Sequence, residues 1–154
     1  MKIPINYVMV ICLLITAFSG CKKGASVVVP DTTKPAIIIT QPTAAQAFDP
    51  GSTIIFQASF SDNEKLKSYE IAISKVVPVG LILKNVPSPV DWSYTKSATS
   101  FTAGVKQQDI NLSDITIPSD IGGSPVAPGD YNFKVTCIDG SDNSTSTILI
   151  IKIN

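Results

Sequence analysis

The chain contains no histidine and no arginine, so all of its basic residues are lysines. The first absence removes the usual general base near neutral pH and the commonest metal-ligating side chain. The second removes the planar fork that grips carboxylates and phosphates at two points. Together they argue against an enzyme, although carboxylates, lysine and tyrosine could still support catalysis. An excess of either charge is missing as well: 12 Lys+Arg balance 12 Asp+Glu, for a formal net charge of 0. A neutral chain carries no basic footprint for nucleic acid and no acidic tail for a basic partner. The one long apolar run, Tyr7–Phe18, falls well short of the roughly 20 residues that cross a bilayer as a helix.

Cysteine is scarce, at three. The apolar run follows Lys2 and precedes the small residues Ser19–Gly20, so residues 1–20 read as a secretory signal. Phe18-Ser19-Gly20-Cys21 resembles the lipobox of bacterial lipoproteins, with Phe where Leu is commonest. That resemblance implies that Cys21 becomes the mature N-terminus and carries acyl chains. Several chains anchor stably, because each buried CH₂ contributes about 0.8 kcal/mol. The plainer alternative is an ordinary leader with an incidental cysteine nearby. Position 22 is Lys rather than Asp and no acidic cluster follows, so the resemblance implies an outer-membrane lipoprotein on the periplasmic face. Display on the cell surface is the alternative. With Cys12 removed and Cys21 acylated, Cys137 has no disulfide partner. It shares an alternating face with Tyr131, Phe133 and Val135, which marks it as a small core residue.

Residues 21–35 form the lipidated cysteine and a Pro-punctuated tether. Within it, "DTT" resembles the Asp-Thr-x O-glycosylation site of Bacteroidetes secreted proteins and makes Thr32 a candidate acceptor. Residues 36–154 then read as one all-β domain. Strands are expected at Ala36–Thr40, Thr53–Phe60, Lys67–Ser74, Val90–Lys96, Gln108–Ile117, Tyr131–Ile138 and Thr145–Ile153. Ile54, Phe56, Ala58 and Phe60 alternate with polar residues, as half-buried antiparallel strands do. The apolar phase shifts from Ile110/Leu112 to Ile115/Ile117, which predicts a bulge near Ser113–Asp114. About seven short strands in a chain of this length predict an immunoglobulin-like antiparallel β-sandwich. Tyr131 stands where a tyrosine corner belongs.

Three stretches, "DTTKPAIII", "PGSTIIFQASFSDNEKLKSYEIAI" and "APGDYNFKVTCIDGSDNSTSTILIIKI", carry a family resemblance. Their order is similar to that of Bacteroidetes lipoproteins of the domain of unknown function 4625. It is also similar, more loosely, to bacterial immunoglobulin-like and cadherin-like repeats. The resemblance implies the sandwich and the lipid anchor, and no established activity. The usual Asp-x-x-Gly-Asn after the sixth strand is here Asp139-Gly140-Ser141-Asp142-Asn143.

"SDN" occurs twice, at residues 61–63 and 141–143, and "SYTK" at 93–96. This superficially copies penicillin-binding enzymes, but their Ser sits on a helix and their Lys-Thr-Gly is absent here. On a sandwich the repeat means something else. The entry to the first strand and two loops meet at one end, bringing Asp31, Asp62, Asn63, Glu64, Asp139, Asp142 and Asn143 together. Ca²⁺ takes six to eight such oxygen ligands, and cadherin-like domains build calcium sites from these regions. Turn formation alone is the simpler account of the same residues. The opposite end holds residues 76–91 and 118–130, the expected partner side, where Val79, Leu81, Ile82 and Leu83 form either an apolar patch or an extra strand. Trp92 and Tyr94 share a strand face and are a candidate glycan platform, with core packing as the alternative. The functional expectation is a non-enzymatic, lipid-anchored module that binds or spaces envelope proteins or glycans without a required cofactor. The alternatives are a calcium-stabilised surface adhesion domain or a glycan-binding accessory lipoprotein.

Overall fold

The computed structural model describes residues 29–76 and 89–154. The leader, Cys21 and the Val79–Leu83 run lie outside the described residues. Among the described residues ten strands follow in order: β1 (Ala36–Gln41), β2 (Ala47–Phe48), β3 (Thr53–Ser61), β4 (Leu66–Lys75), β5 (Ser93–Ser100), β6 (Gln107–Thr116), β7 (Asp120–Ile121), β8 (Ser124–Pro125), β9 (Gly129–Asp139) and β10 (Ser144–Ile153). One sheet has the order β1-β3-β6, and the facing sheet has the order β2-β10-β9-β4-β5. The fold is an all-β sandwich.

Alternation builds the core. Ile54, Phe56, Ala58 and Phe60 of β3 face Ile71 and Ile73 of β4 and Tyr131, Phe133, Val135 and Cys137 of β9, all buried. Phe56 stacks on Phe133 at 5.8 Å between ring centroids, and Phe60, Tyr69 and Phe101 form an aromatic group between 5.1 and 5.4 Å. The bulge on β6 lies where the phase shift predicts it. Ile54 pairs with Ile115 and Phe56 with Leu112, so two steps on β3 meet three on β6 across Ser113 and Asp114. It also aims Asp114 out of its sheet to pair with Lys96 of β5 at 2.9 Å. The tyrosine corner is present: the buried Tyr131 hydroxyl donates to the Ala127 carbonyl at 2.7 Å.

One strand is displaced from its expected place. Val90–Lys96 is not a strand throughout, because Val90 makes only a lone bridge to Val126 and β5 starts at Ser93 and continues to Ser100. Pro89 precedes Val90 and limits ladder bonding there, while β4 supplies a ladder from Ser68 to Ser74 that holds the Ser/Thr-rich tail of β5. Strand directions fix the two ends of the molecule. The ends of β3 and β9 and the starts of β6 and β10 lie together, as Ser61 pairs with Gln107 and Ile138 with Ser144. The segment before β1 arrives at that end, since Ala36 pairs with Ser61.

Candidate metal centre

Three carboxylates converge at this end, each placed by a different piece of chain. Asp62 follows β3 and folds the turn into β4: its Oδ1 accepts from the Glu64 and Lys65 N–H groups, both at 2.9 Å. Asp139 ends β9 and is fully buried. Its Oδ1 accepts from the N–H groups of Ser141 and Asn143 at 2.8 Å, and its Oδ2 accepts from Asn143 Nδ2 at 2.8 Å. The tight turn beyond it needs a left-handed residue, and Asp142 supplies it at φ 67°. Asp31 comes from the segment before β1. Its Oδ1 accepts from Thr33 N–H at 3.0 Å and Asn63 Nδ2 at 3.1 Å, while its carbonyl accepts from Asn143 Nδ2 at 3.1 Å.

One carboxylate oxygen from each of Asp31, Asp62 and Asp139 lies within 4.8 Å of the others. The local N–H groups use up the Oδ1 atoms. Oδ2 of Asp31 and Oδ2 of Asp62 are left buried with no hydrogen-bond partner among the described residues. A buried acceptor without a donor is costly, more so when it carries charge. The Thr33 N–H and then the Asn63 amide hold the Asp31 carboxyl below its ordinary range, so it stays ionised. Beneath the cluster, burial first and then the charges of Asp62 and Asp139 push the Cys137 thiol up to about 12, leaving it an inert core group.

This geometry suits a hard cation. Ligands on opposite sides of Ca²⁺ stand about 4.6–5.2 Å apart, twice its bond length of about 2.3–2.6 Å. A spacing within 4.8 Å fits inside that sphere. Three carboxylates with waters completing the shell make an oxygen-only site, and soft metals that want thiolate or imidazole have no such ligand here.

The seven candidate ligands separate into three groups. Asp31, Asp62 and Asp139 form the cluster. Asn63 and Asn143 orient it by donating amide hydrogens to Asp31 and Asp139. Glu64 and Asp142 stand outside it: Glu64 is exposed, and Asp142 pairs with Lys67. Two supports escape a search for acids. Lys106 Nζ donates to the Asn63 carbonyl at 2.7 Å, and the Lys65 stem crosses the turn where a side chain on Gly140 would overlap it. The Asp139-Gly140 pair is the sequence signal for that close approach.

The other candidate sites are placed as follows. Thr32 is exposed beside Asp31. Trp92 is 7% exposed and packs on Tyr94 and Tyr131 at 6.3 and 6.2 Å, so it is a core residue rather than a face on which a sugar could stack. Tyr94 is half-buried, and burial raises its hydroxyl pKa. The end opposite the cluster carries the β7–β8 hairpin, whose turn uses Gly122 and Gly123 at φ 62° and 82°.

Comparison with solved structures finds low likeness. The chain resembles the sporulation control protein Spo0M of Bacillus subtilis at 12% identity and a TM-score of 0.45, covering 79% of this chain and 49% of that one. It resembles a mutant β-glucosidase of Listeria innocua in complex with laminaribiose at 8% identity and a TM-score of 0.40, covering 78% of this chain and 16% of that one. The chain thus spans about half of the first and a sixth of the second. No curated protein sequence matches it. A family match covers residues 19–154, and on that extent the chain belongs to the family described as Domain of unknown function (DUF4625).

Proposed function

We propose that this chain is a non-enzymatic envelope module, held to a membrane through a lipid on Cys21, whose tether-side end is clamped by Ca²⁺. The observation that carries the clamp is the meeting of three carboxylates with two buried, partnerless oxygens on Asp31 and Asp62. Asp31 belongs to the segment that leads from Cys21 to β1, so the ion ties that segment to the sandwich. The module then projects its opposite end, with the β7–β8 hairpin, towards other envelope components on the periplasmic face of the outer membrane. The absence of histidine and arginine supports a binding or spacing role over catalysis.

Thermal melting of residues 22–154, in chelator and in Ca²⁺, tests the clamp. All core residues named above lie within this fragment. Sites of this kind outside the cell have dissociation constants of about 10⁻⁴–10⁻³ M. Calcium at about 100 times that constant adds about 2.7 kcal/mol, a rise in Tm of about 10 °C for a domain of this size. Identical melting in both conditions contradicts the clamp. Incorporation of labelled palmitate that disappears in Cys21→Ala tests the anchor. Protease treatment of intact cells then reports the face, since a periplasmic domain stays protected.

A further inference from the structure

Strand β10 is paired with β9 along its whole length, from Ser144 opposite Ile138 to Ile153 opposite Gly129, with no break in register. On its other side β2 covers only Lys152 and Ile153, and the Ala45 N–H reaches the Ile150 carbonyl at 2.7 Å. Lys152 N–H and the Ile150 carbonyl both turn to that side. By the alternation of an antiparallel ladder, the N–H and C=O groups of Ser146 and Ile148 do so too. Those groups form a row with no backbone partner among the described residues, and β1 of the facing sheet passes beside it. Ser144–Ile151 contains no charged residue, no proline and no glycine, and Ile148 and Ile150 are 58% and 37% exposed.

The other sheet edges carry the usual guards against strand pairing. The β6 edge is broken by the bulge and bears Asp109 and Asp114. The β5 edge bears Lys96, tied to Asp114. The short β1 lies between Pro35 and Pro42. Only the start of β10, among the described strands, is long, regular and uncharged at once.

We propose that the open edge of β10 is a self-association surface on which a second copy of this chain pairs antiparallel through the same residues. The edge is complementary to itself. A two-fold axis at Ser146 sets Ser144 of one protomer opposite Ile148 of its partner, and Ser146 opposite Ser146, so each open N–H meets an open C=O. Nothing electrostatic opposes the pairing: the strand segment is uncharged, and the chain has a formal net charge of 0, so neither edge nor body repels its copy. The result is one continuous sheet across two molecules, with Ile148 covered by the partner strand. The β2 segment and Ala45 cap the rest of β10, which stops the pairing from sliding further along the strand.

Light scattering after size exclusion on residues 22–154 tests this. The wild type forms dimers whose share rises with concentration. Ile148→Lys and Ser146→Pro remain monomeric at the same concentrations with far-UV circular dichroism unchanged, since both residues are exposed and, within the sheet, Ser146→Pro gives up only the exposed hydroxyl contact with Thr136. Amide exchange of the wild type gives a readout that needs no variant: the Ser146 and Ile148 N–H groups are slow in the concentrated protein and fast in the dilute one. A wild type that stays monomeric up to about 1 mM, the weak end of specific association, overturns the proposal. So do dimers that persist in both variants, exchange that is fast at both concentrations, or an edge filled by a strand of a different protein.

Discussion

Strand β9 carries a buried polar group near each end, and the protein treats the two in opposite ways. At the start, the Tyr131 hydroxyl meets the Ala127 carbonyl at 2.7 Å, a neutral donor on a neutral acceptor. At the finish, the Asp139 carboxyl has 0% exposure, and two further carboxylates crowd against it. Its own oxygens are satisfied by Ser141 and Asn143, yet Oδ2 of Asp31 and Oδ2 of Asp62 beside it are not. The Tyr131 hydroxyl is therefore satisfied by the chain itself, and the atom left open at that end, the Ser52 Oγ, is neutral. The aspartate end leaves two acceptors open, and these are what the proposed cation would meet. A fold that needed only a turn could have used Asp139 alone, as its three hydrogen bonds already close the β9–β10 connection.

Substitutions at the two ends separate these cases. Asp139→Ala removes three charge-assisted hydrogen bonds in a buried place and should cost about 3 kcal/mol or more, read by urea unfolding in chelator, and it should abolish any calcium response. Tyr131→Phe loses the bond to the Ala127 carbonyl and the long one accepted from the Trp92 N–H at 3.5 Å, a cost of about 1–2 kcal/mol. It should keep the full calcium response. Asp62→Asn sharpens the contrast by sign. It relieves repulsion and supplies an amide that can donate to Asp31, so melting in chelator should be unchanged or raised, while the rise on adding calcium disappears. A Tyr131→Phe protein that lost its calcium response would break the distinction between the ends.

The smallest effect lies away from both ends, at the Lys96–Asp114 pair. The hydrogen bond from Lys96 holds the Asp114 carboxyl below its ordinary 3.8, and the bond to Asp114 raises Lys96 above 10.5. Because Asp114 is depressed in the folded state, its contribution is present above pH 3.8 and is lost as pH falls through the folded value. Because Lys96 is raised, its contribution is present below pH 10.5 and is lost as pH rises through the folded value. Solvent screens this pair, so Asp114→Asn should change stability at pH 7 by about 0.5 kcal/mol or less, and should leave the calcium response intact.

Residue patterning carries much of this architecture but not all of it. The inward set of β3 and the bulge at Ser113–Asp114 are legible because both follow from strict two-residue alternation and its interruption. β5 is not legible in the same way, because "SYTKSATS" has little apolar content to alternate, and its position comes from the ladder that β4 offers. β2 spans two residues and exists only because the end of β10 needed a neighbour. At the aspartate end, the doubled "SDN" brings the correct loops together. What it cannot show is rotamer and turn geometry. Those send Asp142 to Lys67 and leave Glu64 in solvent, while Asp31 joins the cluster as its place before the first strand implies. For Trp92 and Tyr94, period two does not distinguish a sugar platform from a core, and the proximity of Tyr131 decides for the core.

The central claim is that the Asp31–Asp62–Asp139 cluster is a calcium site. Isothermal titration of Ca²⁺ into chelator-stripped residues 22–154 tests it most directly, with Asp62→Asn as the comparison. One ion bound per chain, with the binding heat absent in Asp62→Asn, is the predicted result. A wild type that gives no heat beyond dilution, or an Asp62→Asn protein that binds as the wild type does, contradicts it.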